Sequence, residues 1–303
     1  PQSGPNDPVS GQNPPYGADL DYYLPTAAGS VSLTVRGSDG QTIATVRGTG
    51  HTGLNRVWWD LRYPLPAAVH LLTAPPEAPW ITPGPDGWRP LVAWGANPGS
   101  PRVVPGTYQV QLTIDGRPAG TESLTVLKDP AASGTQASME AQLKFALTMS
   151  GEISDVAGMI NGVETTRKQL QEAARILARE PRAAAAVEAD QALERKYIAL
   201  EGKLYDVNLS SESSEESFLT PVQLYAKLCS LAADFNGTGR YGGGAGLGPT
   251  EQALAVNQML VGVMNDVRSG LAALNRGDGA AFNAQLRALG LSLGIQYAAL
   301  PNR

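Results

Sequence analysis

Proline removes an amide donor and fixes φ, so helix interiors exclude it and sheets confine it to edges and turns. Of the 23 prolines in this 303-residue chain, 19 lie at or before Pro130, and the other four are Pro181, Pro221, Pro249 and Pro301. All five tryptophans, Trp58, Trp59, Trp80, Trp88 and Trp94, also precede Pro130. The first part is therefore expected to be strands and loops, and the second to be helical. With 42% hydrophobic and 17% charged residues, both parts have the apolar material for a core. The expected class is α+β in separate domains: an extended N-terminal arm at 1–18, a β domain at 19–130 and helices at 131–303. Lys128-Asp129-Pro130-Ala131-Ala132-Ser133-Gly134 serves as the linker.

Alternation marks the strands. Val31, Leu33 and Val35 share one face, Ser38-Asp39-Gly40 signals a hairpin, and Ile43 to Val46 answers it. Val57, Trp59 and Leu61 alternate next. Pro105-Gly106 then turns into Tyr108, Val110, Leu112 and Ile114, and Asp115-Gly116 turns back towards Leu124 and Val126. This spacing predicts an antiparallel β-sandwich of the immunoglobulin or fibronectin kind. Residues 63–103 are the exception. They hold ten prolines and three tryptophans, and read as an ordered, proline-stiffened excursion over the sheet or towards a partner.

The helical part repeats apolar residues at 3,4 spacing. Ala146, Met149, Ile153, Val156, Ile160, Val163, Leu170, Ala174 and Leu177 form one stripe, interrupted only by Arg167. Leu193, Tyr197, Leu200, Leu204 and Val207 form a second, Leu224, Leu228, Leu231 and Phe235 a third, and Leu260, Met264, Val267, Leu271 and Leu274 a fourth. A 3.5-residue period predicts an antiparallel four-helix-type bundle. Thr220 with Pro221 is expected to open the third helix, Thr250 the fourth, and Asp278 a last short one.

Chemistry is sparse. One cysteine excludes an internal disulfide and a cysteine-based zinc site, and Cys229 reads as a buried structural thiol. The formal net charge of −5 lacks the basic excess of a nucleic-acid binder. Gly237-Thr238-Gly239-Arg240-Tyr241-Gly242 fits a dinucleotide fingerprint literally, but the fingerprint needs a strand before it and here a helix is expected. His51 and Asp60 have no nucleophile elbow near them, and His51 and His70 read as exposed loop histidines. Glu212, Glu215 and Glu216 read as a solvated loop. Asn208-Leu209-Ser210 and Asn236-Gly237-Thr238 match the glycosylation acceptor pattern. No catalytic residue, metal or cofactor is expected. A close pair of buried carboxylates would point instead to an enzyme with an unfamiliar site. The aromatic side chains Tyr16, Tyr22, Trp58, Trp80, Trp88 and Trp94 are the candidate interface, because exposed tryptophan is enriched at binding hot spots.

Several strings resemble a known module. Asn13-Pro14-Pro15-Tyr16-Gly17-Ala18 leads into Asp21-Tyr22-Tyr23-Leu24. Gly53-Leu54-Asn55-Arg56-Val57-Trp58-Trp59-Asp60-Leu61-Arg62, Pro105-Gly106-Thr107-Tyr108-Gln109-Val110 and Lys128-Asp129-Pro130 follow. Together they resemble the C-terminal region of large bacterial exported proteins with BNR/sortilin-type β-propellers, often labelled glycosyl-hydrolase-like. That region carries a FlgD-like immunoglobulin-like module and then helices. The propeller, where any hydrolytic role would sit, is absent from this sequence. The resemblance implies a periplasmic or extracellular bacterial protein that serves as an interaction or assembly module. The expected role is a non-catalytic scaffold or accessory subunit docking onto protein subunits of a larger assembly, with a membrane surface among the expected settings and without a transmembrane segment of its own. A carbohydrate-binding module of a secreted hydrolase is the alternative. No secretory leader is visible and Pro1 stands first, so the chain is expected to be trimmed, processed or numbered from a later residue, and the missing leader does not argue for the cytoplasm.

Overall fold

The computed structural model describes residues 15–238, 246–291, 294–297 and 300–301. It has antiparallel sheets in the N-terminal half and helices in the C-terminal half. In chain order the strands are β1 (Ala18–Leu24), β2 (Val31–Arg36), β3 (Thr42–Arg47), β4 (Gly53–Trp59), β5 (His70–Leu71), β6 (Arg89–Pro90), β7 (Gly106–Ile114) and β8 (Arg117–Val126). The helices are α1 (Gln136–Leu177), α2 (Ala184–Glu201), α3 (Leu224–Asn236), α4 (Glu251–Leu274) and α5 (Ala280–Ala288). The chain forms two compact units. One comprises the residues up to Pro64 with Arg102–Ala132; the other comprises Leu65–Pro101 with the residues from Ser133 on.

The first unit holds a four-stranded antiparallel sheet, ordered β3-β2-β7-β8, and a two-stranded ladder of β1 and β4. Side chains alternate across each strand, and one core collects the inward ones: Leu20, Tyr22 and Leu24 from β1, Val31, Leu33 and Val35 from β2, then Ile43, Trp59 and Tyr108. The Trp59 ring meets Tyr108 edge-on at 5.8 Å, and its indole donates to the Arg62 carbonyl at 3.1 Å. A buried indole needs such an acceptor. Gly17, at φ 135°, is a position only glycine fits, since a Cβ there would come within 2.1 Å of the Trp59 carbonyl oxygen. The chain leaves and re-enters this unit at one place, where Val103 N donates to the Leu61 carbonyl at 2.9 Å.

Three expectations for this half need correction. The arm was set at 1–18, yet Ala18 already pairs with Trp59 in the β1–β4 ladder; residues 1–14 lie outside the described residues. Tyr22, a candidate interface residue, is buried because it shares the inward face of β1 with Leu20 and Leu24, and its hydroxyl donates to the Thr49 carbonyl at 2.6 Å. Residues Leu65–Pro101, expected within the β domain, belong instead to the compact unit of the helices.

In the second unit the expected stripes form one core, with Met149, Ile153, Val156, Ile160, Val163, Leu170 and Leu177 of α1 at its centre. α1 packs against α2, α3 and α4. Ala173 rather than Ala174 takes the buried position near the end of α1, because a 3.6-residue helix drifts against a strict heptad. The second stripe outruns its helix: α2 stops at Glu201, and Leu204 and Val207 are buried beyond it. Thr250 caps α4, its hydroxyl accepting from Ala253 N at 3.1 Å. Thr220 does not cap α3, which starts at Leu224 after Gln223; the Thr220 hydroxyl donates instead to Asp206 at 2.5 Å. Asp278 opens no helix either. A π-helical turn, Asn275–Gly279, runs α4 into α5, and Asp278 pairs with Lys196 at 2.5 Å. Replacing Thr250 with Ala should lower the stability of the helical unit by about 1 kcal/mol in urea denaturation, the usual worth of a hydroxyl cap. Among the described residues no helix is long and apolar enough to cross a membrane.

Candidate functional site

The segment 65–101 is a strap laid on the helices. From Val69 to Pro75 its residues alternate between buried and less buried, as in a strand, and Val69 and Leu71 enter the helical core. A strand needs partners for its amides, and polar side chains of α1 supply them. Ala67 N donates to the Ser154 hydroxyl at 3.1 Å, His70 N to Asn161 Oδ1 at 2.8 Å, and Thr73 N to Glu164 Oε2 at 2.7 Å. Asn161 returns a bond from Nδ2 to the Ala68 carbonyl at 2.9 Å. The pitch explains the match of the first two contacts. Three extended residues span roughly 10 Å, and the seven helical residues from Ser154 to Asn161 span about the same. The prolines suit this geometry, since they hold an extended φ and bring no amide to satisfy.

Below the strap lies a charged cluster. Glu164 Oε2 also accepts from Leu72 N, and Oε1 accepts from the Thr73 hydroxyl at 2.9 Å. One nitrogen of Arg167, NH1, donates to Glu164 at 2.9 Å and to Glu201 at 2.8 Å. All three side chains are sealed from solvent. Burial pushes the Glu201 carboxyl well above the usual carboxylate range, and neighbouring Glu164 adds to the rise while Arg167 opposes it. A second arginine, Arg89 of β6, is buried nearby in the strap. It donates to the Thr73 carbonyl at 3.0 Å, to the Leu209 carbonyl at 2.6 Å and to the Ser211 hydroxyl at 2.9 Å. A cleft of about 680 Å³ adjoins the cluster, walled by strap prolines and by Arg167, Lys168, Glu172 and Glu194. Its lining mixes both charge signs.

Glu164 and Glu201 are thus the close pair of buried carboxylates that would point to an enzyme. Their surroundings describe a clamp. Both Glu164 oxygens accept bonds from the strap, and neither carboxylate is exposed. A general acid or base needs reach to a substrate proton, and this pair has none in the arrangement described.

One exposed feature is aromatic. Trp94 of the strap is 51% exposed, and its ring lies 5.3 Å from Phe218, itself 62% exposed. Leu219, at 86%, and Val222 extend the patch. Trp94 N donates to the Ser217 hydroxyl at 3.0 Å, which ties strap to loop. In the loop from Asn208 to Ser217 the carboxylates of Glu212 and Glu215 are exposed as expected, while Leu209 and Ser217 are buried and Ser210 bonds the half-buried Glu216 through both its amide and its hydroxyl.

The sequence-selected aromatics divide between the units. Tyr16, Tyr22 and Trp58 belong to the first, with Tyr16 exposed beside Arg102 at 5.9 Å, and Trp58 half-buried. Trp80, Trp88 and Trp94 belong to the second. Trp80 is 76% exposed, while Trp88 is half-buried against the exposed His70 at 4.3 Å. Only Trp94 of the six joins the patch with Phe218. Phe218, Leu219 and Val222 escaped the sequence reading because they sit outside every periodic segment.

The remaining candidates place simply. His51 is exposed at its turn. Cys229 is buried, and burial pushes its thiol up to about 12. Asn236 is buried, with its amide nitrogen donating to the Pro98 carbonyl at 2.8 Å, so that acceptor pattern has no free amide. A helix, α3, precedes the glycine run and ends at Gly237; residues 239–245 of that run lie outside the described residues. Among the described residues no group of three His, Cys, Asp or Glu side chains gathers to hold a metal ion. Compared with known protein families, curated proteins and solved structures, the chain matches none.

Proposed function

We propose that this chain is a non-catalytic, extracytoplasmic scaffold or accessory subunit that docks onto a larger bacterial protein assembly. Its concrete form would be an extrinsic subunit on the periplasmic face of a membrane complex, such as a photosynthetic reaction centre or a secretion machine. In the same proposal the two antiparallel ladders with one core make an immunoglobulin-like sandwich, and the helices make a four-helix-type bundle. The observation that carries the reading is the exposed patch of Trp94, Phe218 and Leu219, built from two segments tied to one another and to the helices. Large apolar side chains carried on a tied backbone need less ordering on binding than those on a free loop, which favours affinity. Solubilised native membranes separated by size should carry the chain in a high-mass complex, and Trp94→Ala should release it. A chain found only as a free monomer would sink the proposal.

Trp80 favours a second reading, because an isolated exposed indole suits stacking on a sugar ring. Glycan-array binding that disappears in Trp80→Ala would establish it, and an array without signal would remove it.

A further inference from the structure

The loop that supports the aromatic patch also has a charge of one sign. Residues 204–226 contain Asp206, Glu212, Glu215 and Glu216 and no lysine or arginine. Glu212 and Glu215 are exposed. The Ser213 hydroxyl donates to Glu215, and this holds its carboxyl below the usual range. Glu216 and Asp206 accept from Ser210 and Thr220 and keep further lone pairs open. Arg89 is buried and directed at the Leu209 carbonyl and the Ser211 hydroxyl, and the exposed Lys203 and Lys227 stand just outside this stretch at either end.

Beside Trp94 is a pit of about 20 Å³ lined also by Leu91, Tyr205, Leu209 and Val222 among others, with Asp206 its one charged side chain. Such a volume takes about one water or a methyl group. It excludes a leucine or an aromatic ring as a plug, so an occupant must lie on the exposed face of Trp94 or of Phe218, whose planes are tilted 45° to one another. A guanidinium does that. It is planar and weakly hydrated, stacks on aromatic faces, and reaches neighbouring carboxylates through its fork of donors. A nucleic acid or an anionic membrane surface would be repelled by the same carboxylates.

We infer that the Trp94–Phe218 patch docks a basic, arginine-bearing segment of a partner protein, with a guanidinium on the rings and Glu212 and Glu215 beside it. This rests on the docking role proposed above and names the partner's chemistry.

The test uses the full chain and three labelled peptides of equal length, repeats of Arg-Ala-Gly, Lys-Ala-Gly and Glu-Ala-Gly, read by fluorescence anisotropy at low and physiological salt. The arginine peptide should bind about 3–5-fold more tightly than the lysine peptide, the ordinary worth of an exposed cation–π contact, and the glutamate peptide should not bind. Trp94→Ala should remove the arginine-over-lysine preference. Glu212→Gln with Glu215→Gln should weaken both basic peptides and flatten their salt dependence. Leu254→Ser, on the exposed face of α4, should change nothing. Equal binding of all three peptides, or an arginine preference that survives Trp94→Ala, would overturn the inference. If the peptides fail while the chain still runs in a high-mass complex that Trp94→Ala dissolves, only the basic partner is lost. If the chain runs solely as a monomer, the docking role falls as well.

Discussion

Replacing Arg167 with methionine should cost the helical unit about 3–5 kcal/mol, the usual penalty for leaving a buried ion pair with one partner. Glu164 and Glu201 both rest on the same guanidinium nitrogen, at 2.9 and 2.8 Å, and water reaches neither. Methionine fills much of the volume, so the loss measures charge rather than a cavity. The deficit should shrink from pH 8 to pH 5, because the stranded Glu201 carboxyl, already raised by burial, can then take up a proton. Adding Glu164→Gln and Glu201→Gln to Arg167→Met should restore part of the stability, since the buried charge is gone although a glutamine at 164 accepts through one atom where the carboxylate accepts through two. Urea denaturation of the three proteins at both pH values measures this. A loss under about 1 kcal/mol for the single variant, the range of exposed pairs, would mean the cluster is hydrated and clamps nothing.

Asp190→Asn should have the opposite sign. Asp190 of α2 is 1% exposed, and neither carboxylate oxygen has a hydrogen-bond partner. Burial, with a smaller contribution from Glu194, raises its carboxyl to about 7. The folded chain then keeps a proton that the unfolded chain releases. Stability from this group is intact below its ordinary value near 4, falls as pH rises between there and 7, and stays low above. Each pKa unit is about 1.4 kcal/mol, so Asp190→Asn should stabilise the helical unit by roughly 2–4 kcal/mol at pH 8 and by almost nothing at pH 4. Equal effects at both pH values would show that Asp190 titrates normally.

These two residues show what could and could not be read from the sequence. Arg167 declared itself by interrupting an apolar stripe. Asp190 and Glu201 occupy the same kind of position, three residues before Leu193 and four after Tyr197, and could have been found by extending that stripe in both directions. Glu164 was harder to find. It follows the core residue Val163, and nothing local separates a glutamate that clamps a strap from one that faces water. The strands, hairpins and helix positions were legible because alternation and 3,4 spacing are local. The ownership of residues 65–101 was not. A proline-rich segment that follows β-strands reads as part of the sheet, whereas its amide partners, Ser154, Asn161 and Glu164, lie some ninety residues away on a helix. The aromatic patch was invisible for the same reason, since Trp94 and Phe218 meet only when the strap is in place.

The account depends on that strap being a fixed part of the helical unit, so that Trp94 is presented rather than merely exposed. Amide hydrogen exchange of His70, Leu72 and Thr73, followed alongside the central amides of α1, tests it directly. If the strap is clamped as described, these three amides exchange only when the helical unit unfolds, with the same free energy as α1 and the same response to urea. Exchange at the rate of an unstructured loop while α1 stays protected would contradict it.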